Sequence, residues 1–251
     1  MILEWEVTLP AFTGEEARKA YIYLPEMYYA DPSLHFPVLY MFDGHNVFSD
    51  KDATYGKAWG LDRYLTWTKT PLIVAAIECN HTGSQRLSEY SPFDFKMPRL
   101  GEIQGQGEAY MDWLVHTFKP MVDKRLRTYR DREHTLIAGS SMGGLMALYG
   151  AVAYNHVFQR AACLSPSLWT APKQLLEMIR TADIGPDTCI YMDYGSHEIG
   201  NHRRNISALG AVSQALFKKR VDLTFRVVPG GNHSEASWEK QIPIFMQCLG
   251  F

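Results

Sequence analysis

Residues 139–143 read Gly-Ser-Ser-Met-Gly, a G-x-S-x-G pentapeptide centred on Ser141. A serine hydroxyl is a weak nucleophile, so chemistry on it needs a base to take its proton and a carboxylate to orient that base. Alone the pentapeptide carries little information, but here an apolar stretch at 135–138 precedes it and a helix-like stretch at 142–154 follows it. That is the strand-to-helix turn in which a serine sits on a sharp, exposed elbow. Glycine two residues to either side lets neighbouring backbones approach, and the helix N-terminus beneath would offer an amide to a developing oxyanion. A Gly/Ser helix cap is the plainer alternative for the same residues, and Ser140 is read as structural.

Of nine histidines, His233 fits the base best. It ends a Pro-Gly-Gly-Asn-His turn directly after the last strand-like run, 223–228, and the carboxyl ends of strands are where open α/β sheets collect reactive side chains. His156, His197 and His202 lie before that strand or on a helix. For the carboxylate, the segment TCIYMDYGSHE at 188–198 offers Glu198 in the loop beyond a strand and Asp193 at the strand's end. Glu198 is preferred, with Asp193 as the alternative acid or a turn-stabilising residue. A second oxyanion amide is expected from the run VLYMF at 38–42, which enters Asp43-Gly44-His45-Asn46. The backbone N–H groups of His45 and Met142 form the expected pair. Asp43 and Asn46 either buttress that turn or border the substrate. Trp169, after the run LSPSL, and Arg86, Glu89 and Tyr90 are further candidates for the pocket wall.

These residues meet only if a sheet brings strand ends together. Apolar runs of strand length occur at 21–24, 36–42, 72–77, 134–138, 160–164, 188–192 and 223–228. Several are nearly continuous in apolar character, as strands covered on both faces are. Helical spacing fills 107–125, 142–154, 171–181, 203–219 and 235–249, with Pro120 expected to kink or end the first. Strand followed by helix, repeated to the end, predicts a mostly parallel central sheet with helices on both faces, the α/β class, in one domain spanning 1–251. The irregular stretch 80–107 is expected to be a site-covering loop.

Composition bounds the partners. The 251 residues carry 25 Lys plus Arg against 27 Asp plus Glu, a net charge of −2, so no basic surface is available for nucleic acid. Four scattered cysteines, Cys79, Cys163, Cys189 and Cys248, contain no C-x-x-C pair and are read as buried free thiols. Met1 to Val7 lacks the basic and apolar regions of a signal peptide, and no run approaches the roughly 20 apolar residues of a membrane span, so a cytoplasmic protein is expected. The chemistry calls for no cofactor and no metal. Self-association into a homo-oligomer is left open.

The runs PVLYMFDGHNVF, RLSEYSPF, GSSMGGLMALYGA, LSPSLW and GGNHSEASW together resemble one branch of the α/β-hydrolases, from about Tyr21 to Trp238. That branch holds esterase D-like enzymes, enterochelin-type siderophore esterases, feruloyl esterases and mycolyltransferases. The resemblance implies an α/β-hydrolase fold, Ser141 as nucleophile, His233 as base, Glu198 of the D-x-G-x-x-E pattern as acid, and His45 and Met142 as oxyanion donors. No secretion signal is expected, a departure from the extracellular members, nor the separate N-terminal domain that some siderophore esterases carry. Hydrolysis of a small or medium carboxylic ester through an acyl-serine is expected. An acyltransferase with the same triad and a catalytically inactive binding protein are the alternatives.

Overall fold

In Val38–Phe42 every side chain is buried, yet Leu39 and Met41 join one apolar cluster while Val38, Tyr40 and Phe42 join another. This is the period of two in a strand covered on both faces, and it explains why the run reads as continuously apolar. The structure, a computed structural model, describes residues 1–9, 16–200 and 202–251. Its strands are β1 (Ile2–Leu9), β2 (Glu16–Tyr23), β3 (Val38–Phe42), β4 (Ile73–Ile77), β5 (Phe95–Met97), β6 (Gly101–Ile103), β7 (Thr135–Ser140), β8 (Arg160–Leu164), β9 (Cys189–Gly195) and β10 (Asp222–Val228). Eight of them form one sheet in the order β1-β2-β4-β3-β7-β8-β9-β10, and β5 and β6 form a separate two-stranded ribbon. The pairs β1/β2 and β2/β4 are antiparallel, and every pair from β4 to β10 is parallel. The carboxyl ends of β3, β7, β8, β9 and β10 therefore line up along one edge of the sheet.

The helices are α1 (Met27–Ala30), α2 (Leu61–Thr68), α3 (Gln85–Glu89), α4 (Gly107–Trp113), α5 (Lys119–Arg125), α6 (Met142–Ala153), α7 (Pro172–Thr181), α8 (His202–Lys218), α9 (Glu235–Glu239) and α10 (Ile242–Cys248). Buried side chains of α4 to α8 pack on one face of the sheet, with α6 buried along nearly its whole length. Those of α2, α9 and α10 cover the other face.

Several expectations change. Strand β3 starts at Val38 instead of 36, because Pro37 has no N–H to give; Phe36 makes only an isolated bridge to Thr128. Pro120 does not end the helical run at 107–125: a wide π-type turn at Leu114–Phe118 precedes it, and Pro120 sits in the first turn of α5, where a missing N–H is harmless. The single helix expected at 235–249 is two, because Pro243 occupies the first turn of α10. Stretch 80–107 is not irregular: it holds α3, β5 and β6, and it buries Tyr90, Phe95 and Ile103.

Candidate functional site

The turn between β7 and α6 positions Ser141. Its backbone has φ 58° and ψ −121°, a conformation a serine holds only when its surroundings force it. The force comes from both neighbours. Ser141 N–H donates to Leu164 O at the end of β8 (2.9 Å), and Ser141 O accepts from Ser167 N–H (3.0 Å) and from Leu145 N–H (3.0 Å). A Cβ on Gly139 would fall 2.6 Å from the Gly143 carbonyl carbon, so only glycine permits a turn this tight.

Three side chains from three strand ends form a chain of hydrogen bonds. Ser141 Oγ lies 2.9 Å from His233 Nε2, and His233 Nδ1 lies 2.5 Å from Glu198 Oε2. Glu198 is buried, its side chain 2% exposed, whereas that of His233 is 22% exposed and reachable from solvent. The second carboxylate oxygen of Glu198 accepts from Ser165 Oγ–H at 2.5 Å and faces Gly195 N–H at 3.4 Å. Ser165 Oγ in turn accepts from Trp238 Nε1–H at 3.0 Å, and the Trp238 ring meets His233 edge to face with centroids 5.0 Å apart. Asp193 is not part of this chain. Its carboxylate accepts from Ser165 N–H (3.0 Å) and Tyr191 O–H (2.8 Å) inside the sheet, and burial pushes its pKa up to about 6 despite those donors. The two loops carrying Glu198 and His233 are tied by His197 N–H to Gly231 O at 2.8 Å.

The turn after β3 lies against the elbow: a Cβ on Gly143 would fall 2.9 Å from Phe42 Cβ and 3.2 Å from Asp43 Oδ2. Among the described residues the N–H groups of His45 and Met142 meet no acceptor, and Met142 opens α6, where the dipole is positive. Asp43 has φ 57° and is held from behind by a bidentate pair with Arg86, Nε to Oδ1 and Nη2 to Oδ2 both at 2.7 Å. Burial opposes ionisation of Asp43, but the Arg86 guanidinium outweighs it and keeps the pKa low. Tyr90 O–H accepts from Asp43 N–H at 3.3 Å, and Asn46 Oδ1 accepts from Thr54 N–H at 2.9 Å. Glu89 is fully buried, paired with Arg18 at 3.1 Å, and accepts from Asn80 N–H at 2.8 Å.

A cavity of about 440 Å³ opens over Ser141 and His233, walled by Pro98, Trp169, Tyr194, Ile199, Arg204 and Asn205. Of the side chains named from the sequence as pocket candidates, Trp169 is the one that lines this cavity. Asp43, Asn46, Arg86 and Glu89 do not line this cavity: Asp43 pairs with Arg86, buried Glu89 with Arg18, and Asn46 holds the Thr54 amide. Ser165 and Ser167, not among the side chains expected from the sequence, also face this site. Their signal is the LSPS run that closes β8, next to the elbow strand in the sheet.

A parallel sheet with the serine elbow, histidine and carboxylate at its carboxyl edge is the architecture of α/β-hydrolase-like serine hydrolases. Residues 13–246 match the family described as Putative esterase, and the chain belongs to it; it is an esterase of the α/β-hydrolase superfamily. It is similar to the protein YbbA of Bacillus subtilis (strain 168), 26% identical over 192 residues that make up 75% of this chain and 72% of that one. The IroE-like serine hydrolase from Shewanella oneidensis superposes with a TM-score of 0.74 at 18% identity, over 98% of this chain and 79% of that one. A ferulic acid esterase gives 0.68 at 18% identity over 99% of both chains. At such identities these two structures show the shared fold alone. Among the described residues no helix is long and apolar enough to cross a membrane.

Proposed function

We propose that this esterase hydrolyses small or medium carboxylic esters through a covalent acyl-Ser141 intermediate, with His233 as base and Glu198 as the carboxylate that orients it. The observation that carries the reading is the unbroken chain from Glu198 to His233 (2.5 Å) to Ser141 (2.9 Å) on the floor of the cavity. With Glu198 accepting from Nδ1–H, the lone pair of His233 lies on Nε2, facing the serine hydroxyl. Ser141 Oγ attacks the acyl carbon as Nε2 takes its proton. The tetrahedral oxyanion receives hydrogen bonds from His45 N–H and Met142 N–H. The imidazolium then protonates the departing alcohol. A water molecule repeats the cycle on the acyl-enzyme, giving its proton to Nε2 and releasing the acid and free Ser141. Trp169, Tyr194 and Pro98 give the cavity a largely apolar wall, which favours an ester with a flat or apolar flank.

The test is labelling by a fluorophosphonate and turnover of p-nitrophenyl acetate. Both should disappear in a folded Ser141→Ala protein, and a folded variant that still reacts refutes the proposal.

A further inference from the structure

His45 comes from the turn after β3, and Cys79 and His81 from the segment just after β4; pairing of Phe42 with Ile77 carries all three to one spot. Their ligating atoms all lie within 4.8 Å of one another. His45 and Cys79 are buried and His81 is open to solvent. The two imidazole rings meet edge to face with centroids 4.6 Å apart. His45 Nε2 lies 2.9 Å from Thr54 Oγ1, while Nδ1 is buried with no partner. The Thr54 hydroxyl can accept from Nε2–H, and in that tautomer the lone pair sits on the unpartnered Nδ1, the arrangement in which a second hydrogen bond prepares a histidine as a metal ligand. Glu78 Oε1 lies 3.4 Å from His81 Nε2, so a carboxylate stands beside the exposed ring. None of the three side chains lines the cavity, and the proposed reaction uses none of them.

We propose that His45, Cys79 and His81 bind one zinc-class divalent cation, held by two imidazoles and a thiolate with a fourth position for water. Thiolate with imidazole selects zinc and its neighbours over magnesium and calcium. A tetrahedral ion with Zn–N of about 2.0–2.1 Å and Zn–S of about 2.3 Å holds its ligand atoms roughly 3.4–3.6 Å apart. The donors must therefore close by about 1 Å, and exposed His81 is free to supply most of that movement. On binding, the Cys79 S–H bond breaks, the sulfur–metal bond forms and the proton passes to solvent. Spacing along the chain hides the site, since only Cys79 and His81 are neighbours and strand pairing delivers the third ligand.

Because His45 also carries one of the two proposed oxyanion amides, an ion on its ring pulls that N–H out of line and slows hydrolysis. This second step rests on the function proposed above, whereas the binding does not.

Metal-free full-length protein titrated with Co²⁺, as a coloured stand-in for Zn²⁺, tests both. One equivalent should produce a thiolate-to-cobalt charge-transfer band in the near ultraviolet and visible bands of tetrahedral cobalt, both erased by Zn²⁺. Cys79→Ser should lose the near-ultraviolet band. His81→Ala, altered at the exposed position, should keep its metal-free turnover and bind roughly tenfold or more weakly. Zn²⁺ should slow p-nitrophenyl acetate turnover in the natural protein and in neither variant. No thiolate band, or one that survives in Cys79→Ser, overturns the site. A normal band with unchanged turnover overturns only the coupling to hydrolysis, and a metal-free protein that never turns over p-nitrophenyl acetate refutes the proposed function while leaving the site standing.

Discussion

Replacing Glu198 by glutamine should change which nitrogen of His233 carries the proton. Ser165 Oγ accepts from Trp238 Nε1–H at 3.0 Å, so its own proton points at Glu198 Oε1, 2.5 Å away, where Gly195 N–H also points. Two donors at that position require an acceptor, so the carbonyl oxygen of a new amide settles there. Its NH₂ group then takes the place of Oε2, 2.5 Å from His233 Nδ1, and donates to it. The ring proton is driven to Nε2, where it faces the Ser141 hydroxyl and leaves no lone pair to accept the serine proton. A wrong tautomer of this kind costs on the order of 10⁴ in kcat, about 5 kcal/mol of barrier. Asp193→Asn is the control, since Asp193 bonds Tyr191 and Ser165 N–H and does not touch His233; its turnover should stay within about tenfold of the natural protein. The assay is p-nitrophenyl acetate hydrolysis on variants shown to be folded by circular dichroism. A Glu198→Gln protein within tenfold of the natural rate, or a four-decade loss in Asp193→Asn, refutes the reasoning.

Asp193 also predicts a pH dependence. Its pKa in the fold, about 6, lies above the ordinary 3.8, so the fold favours the neutral acid, and stability is lost as pH rises from about 4 through about 6. Asp193→Asn should therefore gain on the natural protein across that window by on the order of 3 kcal/mol in urea midpoints, and a pH-independent difference contradicts the shift. Ser165→Ala strands Trp238 Nε1–H and loosens Glu198; it should lower stability by about 1–3 kcal/mol in urea unfolding and reduce kcat with KM little changed. In Gly44→Ala the new Cβ would sit 2.7 Å from the Ala76 carbonyl group, so the turn must shift its amides. A loss of about 10²–10³ in kcat with the fold retained is expected from steady-state kinetics, and an unaltered rate argues against the His45 amide as a donor.

The parts of the fold that repeat a physical rule were legible in the sequence. The core strands announce themselves as continuous apolar runs because helices cover both faces, and the serine elbow because glycines flank it. Strand β1 escaped notice because it is an edge, with Ile2, Glu4 and Glu6 away from the core and only Val7 and Leu9 buried. The sequence favours Glu198 over Asp193 only by its place in the loop beyond the apolar run, and leaves Asp193 open as the alternative. What distinguishes them is direction: Asp193 shares a strand face with Tyr191 and bonds its hydroxyl, whereas Glu198 lies past Gly195, where the chain turns toward His233. Arg86 and Glu89 were read as a substrate rim because charged residues in a Gly-rich stretch suggest a surface loop. Their partners, Asp43 and Arg18, come from distant positions, and no local pattern reveals that Glu89 is half of a buried ion pair and Arg86 half of a partly buried one.

The backbone of Ser141 at φ 58° is one that glycine adopts without difficulty and that costs other residues about 1–3 kcal/mol. Glycine at 141 should thus give a chain that melts higher and, on the proposed reading, hydrolyses nothing. Directed evolution of this protein for heat tolerance alone would then have a downhill route to inactivity, open by a single codon change at the proposed nucleophile. A library screened for survival after heating needs turnover scored in the same round, or its winners will include molecules that became robust by giving up their chemistry.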